Sequence, residues 1–183
     1  MKLQTKRLLL RPWEDGDAEI LYRWAKDPEV GPMAGWKPHE SAAESLAIIH
    51  GPLGMPETYA LVLRETGEPV GSAGLFPPEF AAPTELPPEA VQLELGYWIA
   101  RPYWGQGLVP EAAEELLRYA FEELDCRMAH CSHFEWNGQS RRVIEKLGFA
   151  PAGVHDTVDS LGRTQKMLCY TMPRAVWARR RQA

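Results

Sequence analysis

From Val109 to Leu124 apolar residues recur at intervals of three and four. Val109, Ala112, Ala113, Leu116, Leu117, Ala120, Phe121 and Leu124 fall on one face of a predicted helix. Upstream, Val91–Ile99 alternates instead. Leu93, Leu95, Tyr97 and Ile99 take one side and Gln92, Glu94, Gly96 and Trp98 the other, which predicts a central strand. Between them Gly105 and Gly107 give a tight turn, and Pro110 suits a first helical position because its missing N–H would be unpaired there. The rest of the chain is organised around this strand, turn and helix. The free N–H groups of the helix's first turn, backed by its positive end, predict an anion site and therefore a phosphorylated ligand.

The remaining pattern supplies further elements in order. Arg7–Arg11 reads as a strand stopped by Pro12, and Asp15 as the cap of a helix whose apolar side includes Ala18, Leu21, Tyr22 and Ala25. Ser41 caps a second helix reaching about His50, with Glu44 as its capping-box partner. Tyr59–Arg64 and Pro69–Phe76 flank a glycine turn and predict a hairpin. Pro77–Pro88 holds five prolines in twelve residues, so it is expected to be a loop. Its Glu79 and Glu85 are weighed as groups for a cationic ligand, against plain solvated charges. Cys126–Phe134 reads as a strand, Asn137 as the cap of a helix ending at Gly148, and Ala152–Asp159 with Lys166–Met172 as a closing hairpin. Arg174–Arg181 is expected to be a solvated basic tail.

Composition narrows the class. A chain of 183 residues with 45% hydrophobic and 25% charged positions suits one domain, 1–183. A net charge of -5 argues against a general nucleic-acid binder and mildly favours a cationic substrate. Cys126, Cys131 and Cys169 are odd in number and lack framework spacing, which predicts reduced thiols. Leu8–Leu10 is too short an apolar run for a signal core or a membrane span, so a cytoplasmic protein is expected. Metal chemistry is not expected. On a strand Cys126 and His130 would lie about 13 Å apart, at roughly 3.3 Å per residue, and Cys131 with His133 supplies only two ligands.

Which phosphate ligand follows from exclusion first. A dinucleotide fingerprint needs a third glycine where Pro110 stands, and a P-loop needs Gly-Lys-Ser/Thr, which the chain lacks. Glu94 is a carboxylate within an otherwise apolar strand. Burial there would raise its pKa towards the range useful to a base, and the competing reading is an exposed strand-face acid.

The turn YWGQGLVPEA resembles the acetyl-CoA loop of the GNAT N-acetyltransferases, in particular the RimJ/RimL branch. Trp104, Gly107 and Val109 fill the first, fourth and last places of the Q/R-x-x-G-x-G/A pattern, of which only Gly107 matches strictly. TKRLLLRPWEDGDAEILYRW, ELGYWI, NGQSRRVIEKLGF and MLCYTMPRAVW are similar to the same branch, so the resemblance spans roughly Leu3–Trp177. It implies a single mixed α/β domain with a central, mostly antiparallel, seven-stranded sheet flanked by helices. The fourth and fifth strands would splay to admit the pantetheine arm.

The resemblance also implies roles. Acetyl-CoA would be the co-substrate, with strand backbone at Trp98, Ile99 and Ala100 on the pantetheine. The backbone of Trp104, Gly105, Gln106, Gly107, Leu108 and Val109 would hold the pyrophosphate. Asn137, Ser140 and Arg141 would lie beside the cofactor, and Glu94 would act as base on the acceptor amine. Trp36, with His39 as a weaker candidate, would wall the acceptor site. Many members carry a tyrosine as acid for the leaving thiolate where this chain has Ile144, so that role falls to Ser140 or water. The implied reaction is acetyl transfer to a primary amine by direct attack in a ternary complex, without metal. The acceptor is a protein N-terminus, an aminoglycoside, a polyamine or an amino-acid analogue. The alternative is a non-catalytic acyl-CoA-binding module of the same fold. Neither direct nucleic-acid nor membrane contact is expected, and a homodimer is left open.

Overall fold

The computed structural model describes residues 1–80 and 85–181. Its sheet has the strands β1 (Leu3–Gln4), β2 (Leu8–Arg11), β3 (Thr58–Leu63), β4 (Pro69–Phe76), β5 (Gln92–Ile99), β6 (Met128–Phe134), β7 (Ala150–Val158) and β8 (Thr164–Pro173). Their order across the sheet is β1-β2-β3-β4-β5-β6-β8-β7. Each neighbouring pair is antiparallel except β5 and β6, which run parallel. That parallel pair needs a crossover, and α3 (Leu108–Glu122) supplies it. The other helices are α1 (Ala18–Ala25), α2 (Ala42–His50), α4 (Gly138–Leu147) and α5 (Arg174–Arg180).

The seven predicted strands are present, and the sheet is eight-stranded rather than seven. The extra strand, β1, pairs only Leu3 and Gln4 with β2, too short a run for any alternation to register in the sequence. Arg174–Arg180 is a helix rather than a solvated tail. Trp177 is buried with its ring 5.2 Å from that of Phe121, and Arg180 pairs with Glu114 at 2.9 Å. The proline-rich stretch forms no strand where it is described, and its residues 81–84 lie outside the described residues, as do 182–183.

Apolar faces explain the layers. Leu116, Leu117 and Phe121 of α3 and Ile144 and Leu147 of α4 are buried on one side of the sheet against Leu95, Ala129, Cys131 and Met172. On the other side a smaller core joins Leu21 and Ala25 of α1 and Ile49 of α2 to Trp13, Ala60 and Val62. Ser41 caps α2 by accepting the Glu44 N–H at 3.1 Å. At α1 the sequence reading is one residue late: Glu14 precedes a short 3-10 turn, and the Asp17 carboxylate accepts the Glu14 N–H.

One irregularity positions everything below. The β5–β6 ladder pairs Gln92 with Met128, Leu93 with Ala129 and Glu94 with His130, and there it stops. Both strands continue, to Ile99 and Phe134, with no further ladder pairing between them. The sheet therefore opens into a wedge just after Glu94.

Candidate active site

The wedge is the floor of a cleft of about 670 Å³. Its walls are the end of β5, the turn and first residues of α3, the end of β6, the start of α4, and the 3-10 turn Gly31–Ala34.

At one end lies the glycine turn. Gly105 and Gly107 have φ values of +73° and +74°, a region that costs an L-residue roughly 1–2 kcal/mol. A Cβ on Gly105 would meet nothing within 4 Å, so the backbone there stands open to a ligand. Gly107 is the N-cap of α3, so the helix begins at Leu108 and Pro110 is its third residue rather than its first. The missing proline N–H still falls among the four that a helix start leaves unpaired, so nothing is lost. A 15-residue helix ends here with its positive pole towards the cleft.

The sequence reading missed what holds this turn in place. Glu111, in the first turn of α3, accepts the Thr5 hydroxyl at 2.6 Å, the Arg7 backbone N–H at 2.7 Å and the Arg7 Nε at 2.6 Å. Arg7 also donates through Nη1 to the Gln106 carbonyl at 2.9 Å. Partial burial would raise the Glu111 pKa, but the bonds from Thr5 and Arg7 outweigh it and hold the carboxyl below its ordinary value. The turn is thus clamped from the edge of the sheet, with a guanidinium beside it. Arg7 stands a hundred residues away in sequence, and no local pattern connects it to the turn.

Along β5, Ala100 donates its N–H to Val70 of β4 at 2.8 Å. Alternate residues of a strand present their amides to the same edge, so Trp98 also faces β4 while Tyr97 and Ile99 face the wedge. The Ile99 carbonyl is already taken by Trp104 Nε1 at 2.9 Å. Ala100 is buried and Gln106 turns its side-chain amide to the Pro102 carbonyl, so neither lines the cleft.

At the start of α4, Asn137 accepts the Ser140 N–H at 3.0 Å, as a cap should, and donates to the Met33 carbonyl at 2.9 Å. The Ser140 hydroxyl lies 2.8 Å from the Tyr97 hydroxyl. Burial, with nearby Cys131, pushes the Tyr97 pKa well up, so the phenol stays protonated. It can donate to Ser140 Oγ and leave the serine hydrogen free for the cleft. Arg141 points away into an ion pair with Glu145 at 2.8 Å, and it is Arg142 and Lys146 that line the cleft.

At the other end stands Glu94, at the last rung before the wedge. One oxygen accepts the Ser132 hydroxyl and the other the Glu79 backbone N–H at 3.0 Å. Trp98 follows on the same strand face, stacked on Trp13 at 6.4 Å and edge-on to Trp36 at 5.6 Å. Trp36 therefore backs the cleft through Trp98 rather than lining it. His39 sits behind Trp36 with Nδ1 2.8 Å from the Ser45 hydroxyl, and burial lowers its pKa.

Comparison with known proteins decides the family. The acetyltransferase (GNAT) domain family matches residues 7–150. The chain belongs to the GNAT acetyltransferases. It is 26% identical over 157 residues to the uncharacterized N-acetyltransferase p20 of Bacillus licheniformis, covering 83% of this chain and 84% of that protein. It is 29% identical over 153 residues to the FsC-acetyl coenzyme A-N(2)-transacetylase of Aspergillus fumigatus, covering 80% and 63%. An acetyltransferase (GNAT family) structure from Bacillus anthracis superposes with a TM-score of 0.79 at 20% identity, over 96% of this chain and 99% of that one.

In this GNAT chain Ile144, where the resemblance would place a tyrosine, is fully buried and cannot reach the cleft. The phenol that hydrogen-bonds Ser140 of α4 comes instead from Tyr97 on β5. The cysteine and the two histidines of β6 are occupied separately. Cys131 donates to the Leu95 carbonyl at 3.2 Å, His130 meets Gln92 at 2.9 Å, and His133 meets Tyr170 at 3.2 Å. Among the described residues no three His, Cys, Asp or Glu side chains are grouped to hold a metal ion, and no helix is long and apolar enough to cross a membrane.

Proposed function

We propose that this protein transfers the acetyl group of acetyl-CoA to a primary amine by direct attack, with both substrates held in the wedge between β5 and β6. The observation that carries the proposal is the wedge itself. It joins an open glycine turn at a helix start to a carboxylate at its far end, with a hydroxyl pair between them. The Gly105–Val109 backbone suits a pyrophosphate, because it offers N–H groups, room where a Cβ would stand, and Arg7, Arg142 and Lys146 as cations nearby. The name of the Aspergillus relative, an acetyl coenzyme A transacetylase, supports the same donor.

When bound, the thioester supplies an activated acyl group. The Tyr97 or Ile99 N–H is directed to donate to its carbonyl oxygen as negative charge develops there. Glu94 takes a proton from the acceptor ammonium, directly or through water, because only the free amine can attack. As the C–N bond forms and the C–S bond breaks, Ser140 donates a hydrogen bond to the departing sulfur, with Tyr97 donating behind it. A free thiol has a pKa near 8.5, so this help is modest. Holding both reactants in one cleft removes much of the entropic barrier.

Calorimetry with acetyl-CoA, followed by thiol release in the presence of primary amines, tests the proposal. Saturable binding and amine-dependent release are expected. Binding without release would instead support the non-catalytic acyl-CoA-binding reading, and absence of binding would overturn both.

A further inference from the structure

The acceptor half of the cleft has an unusual balance of surfaces. Val30, Met33 and Ala34 form one wall, and Trp98, Phe134 and Met167 the other. Among the described residues that line the cleft, Glu94 is the one carboxylate. Its position is fixed from both sides by the Ser132 hydroxyl and the Glu79 N–H. A carboxylate has about four lone-pair sites, so two remain for an incoming nitrogen. Glu79 adds no second charge to the lining, since its own carboxylate turns to the Thr157 hydroxyl at 3.2 Å. The wall is also braced. Asn137 donates to the Met33 carbonyl, Ser160 donates to the Gly35 carbonyl at 3.3 Å, and a Cβ on Gly35 would press on the Phe134 ring at 3.2 Å. The apolar wall is therefore built in rather than a chance fold of a free loop.

Building on the acetyltransferase reading above, we infer that the acceptor is a primary monoamine whose nitrogen sits directly on an apolar group. One ammonium meets Glu94, and the carbon body beside it packs on the aromatic and methionine walls. A second cationic centre a few atoms away would lie against those half-buried apolar walls with no further carboxylate among the described lining residues, and partly desolvating a charge without a partner is disfavoured. Polyamines and aminoglycosides carry such centres at short spacing. The two methionines give a wall that adapts to aliphatic or aromatic bodies, so discrimination falls on charge count more than on shape. The same chemistry occurs in a free arylalkylamine and in a peptide whose first residue is apolar.

Initial rates of thiol release from acetyl-CoA should be compared for 2-phenylethylamine, a peptide beginning with leucine, spermidine and an aminoglycoside. The apolar monoamines are expected to exceed the polycations in kcat/KM by about 10-fold or more, the scale at which a mismatched contact discriminates. The first two arms show whether the nitrogen belongs to a small molecule or a chain. Met167→Asp places a second carboxylate in the wall and should narrow the ratio for spermidine. If that variant does not fold, the wild-type panel decides alone. Equal or better turnover of spermidine or the aminoglycoside overturns the inference while leaving the transferase reading standing. Acetyl-CoA binding with turnover of a polycation but of neither apolar amine does the same, whereas binding with turnover of no amine overturns the inference and the transferase reading together. Failure of acetyl-CoA to bind, measured separately by calorimetry, removes both.

Discussion

Removing the Glu111 carboxylate tests the clamp that joins the sheet edge to the glycine turn. In the wild type it receives three hydrogen bonds at 2.6–2.7 Å, two of them from Arg7 and one from Thr5. Its side chain is 19% exposed, against 43% for Arg7. Bonds to a charged group are worth about 1.5–3 kcal/mol each when well shielded. Here solvent reaches the guanidinium and screens the pair, so about 1–3 kcal/mol in total is the reasonable loss for Glu111→Ala. For a domain of this length that corresponds to a fall in melting temperature of about 2–10 °C. The Gln106 carbonyl would lose its fixed partner as Arg7 swings free, so acetyl-CoA affinity should fall by about 3- to 10-fold, or roughly 1 kcal/mol.

The control is Glu114→Ala on the same helix, which breaks a more exposed pair with Arg180 and should cost under about 0.5 kcal/mol. Differential scanning calorimetry and acetyl-CoA titration read both effects. The pH dependence has a definite sign. The folded pKa of Glu111 lies below its ordinary value of 4.5, so its contribution is full above that value and fades as pH falls through the lowered one. The wild-type advantage over Glu111→Ala should therefore shrink in acid below pH 4.5 and stay level above it. A variant that melts with the wild type at pH 7 and binds acetyl-CoA equally well would refute the clamp.

Three other outcomes are expected. Gly107→Ala forces an alanine to φ +74°, costing about 1–2 kcal/mol, and Gly107→Asp adds a like charge facing phosphate and should weaken acetyl-CoA binding further; titration of both variants checks the order. Glu94→Gln should lower turnover by roughly 10²–10⁴-fold with acetyl-CoA affinity nearly unchanged, and near-normal turnover at neutral pH would remove Glu94 as the base. Burial lowers the pKa of His130, so its neutral form stabilises the fold above its ordinary 6.5 and stability drains as pH falls below that; His130→Gln, which keeps a donor towards Gln92, should show a flatter fall between pH 6.5 and 5 in melting experiments.

Elements with a long, regular period were readable directly. The α3 face, the β5 alternation and the Asn137 cap all rest on local chemistry, and each stands where its residues put it. What escaped were features with no period or with partners far away in the chain. A two-residue strand has no alternation to show, and the α5 helix reads as a basic tail until Trp177 is seen against Phe121. The Arg7 clamp spans more than a hundred residues. Arg141 and Arg142 are adjacent, so only the helix's rotation decides which one faces the cleft. Tyr97 was legible as a core-facing residue, yet its hydroxyl meets a serine that a different element delivers.

That last contact also explains how one strand can serve both ends of the proposed reaction, the proton taken from the amine and the hydrogen bond given to the sulfur. Side chains alternate along a strand, so residues three apart fall on opposite faces. Glu94 and Tyr97 are three apart on β5. Glu94 therefore opens towards the side where α1, α2 and the tryptophans lie, and Tyr97 towards α3 and α4. An amine losing its proton and a sulfur gaining a hydrogen bond are separated by the strand itself, while the Tyr97 and Ile99 amides face the opening between them. Because the β5–β6 ladder ends at Glu94, no strand-to-strand bond among the described residues takes up those amides. Extending the ladder by two residues would close the opening in which the proposal places the acyl group. Ladder bonds not made beyond Glu94 are thus the structural cost of the opening, and the Arg7–Gln106 and Asn137–Met33 bonds tie down the turn and the loop on either side of it.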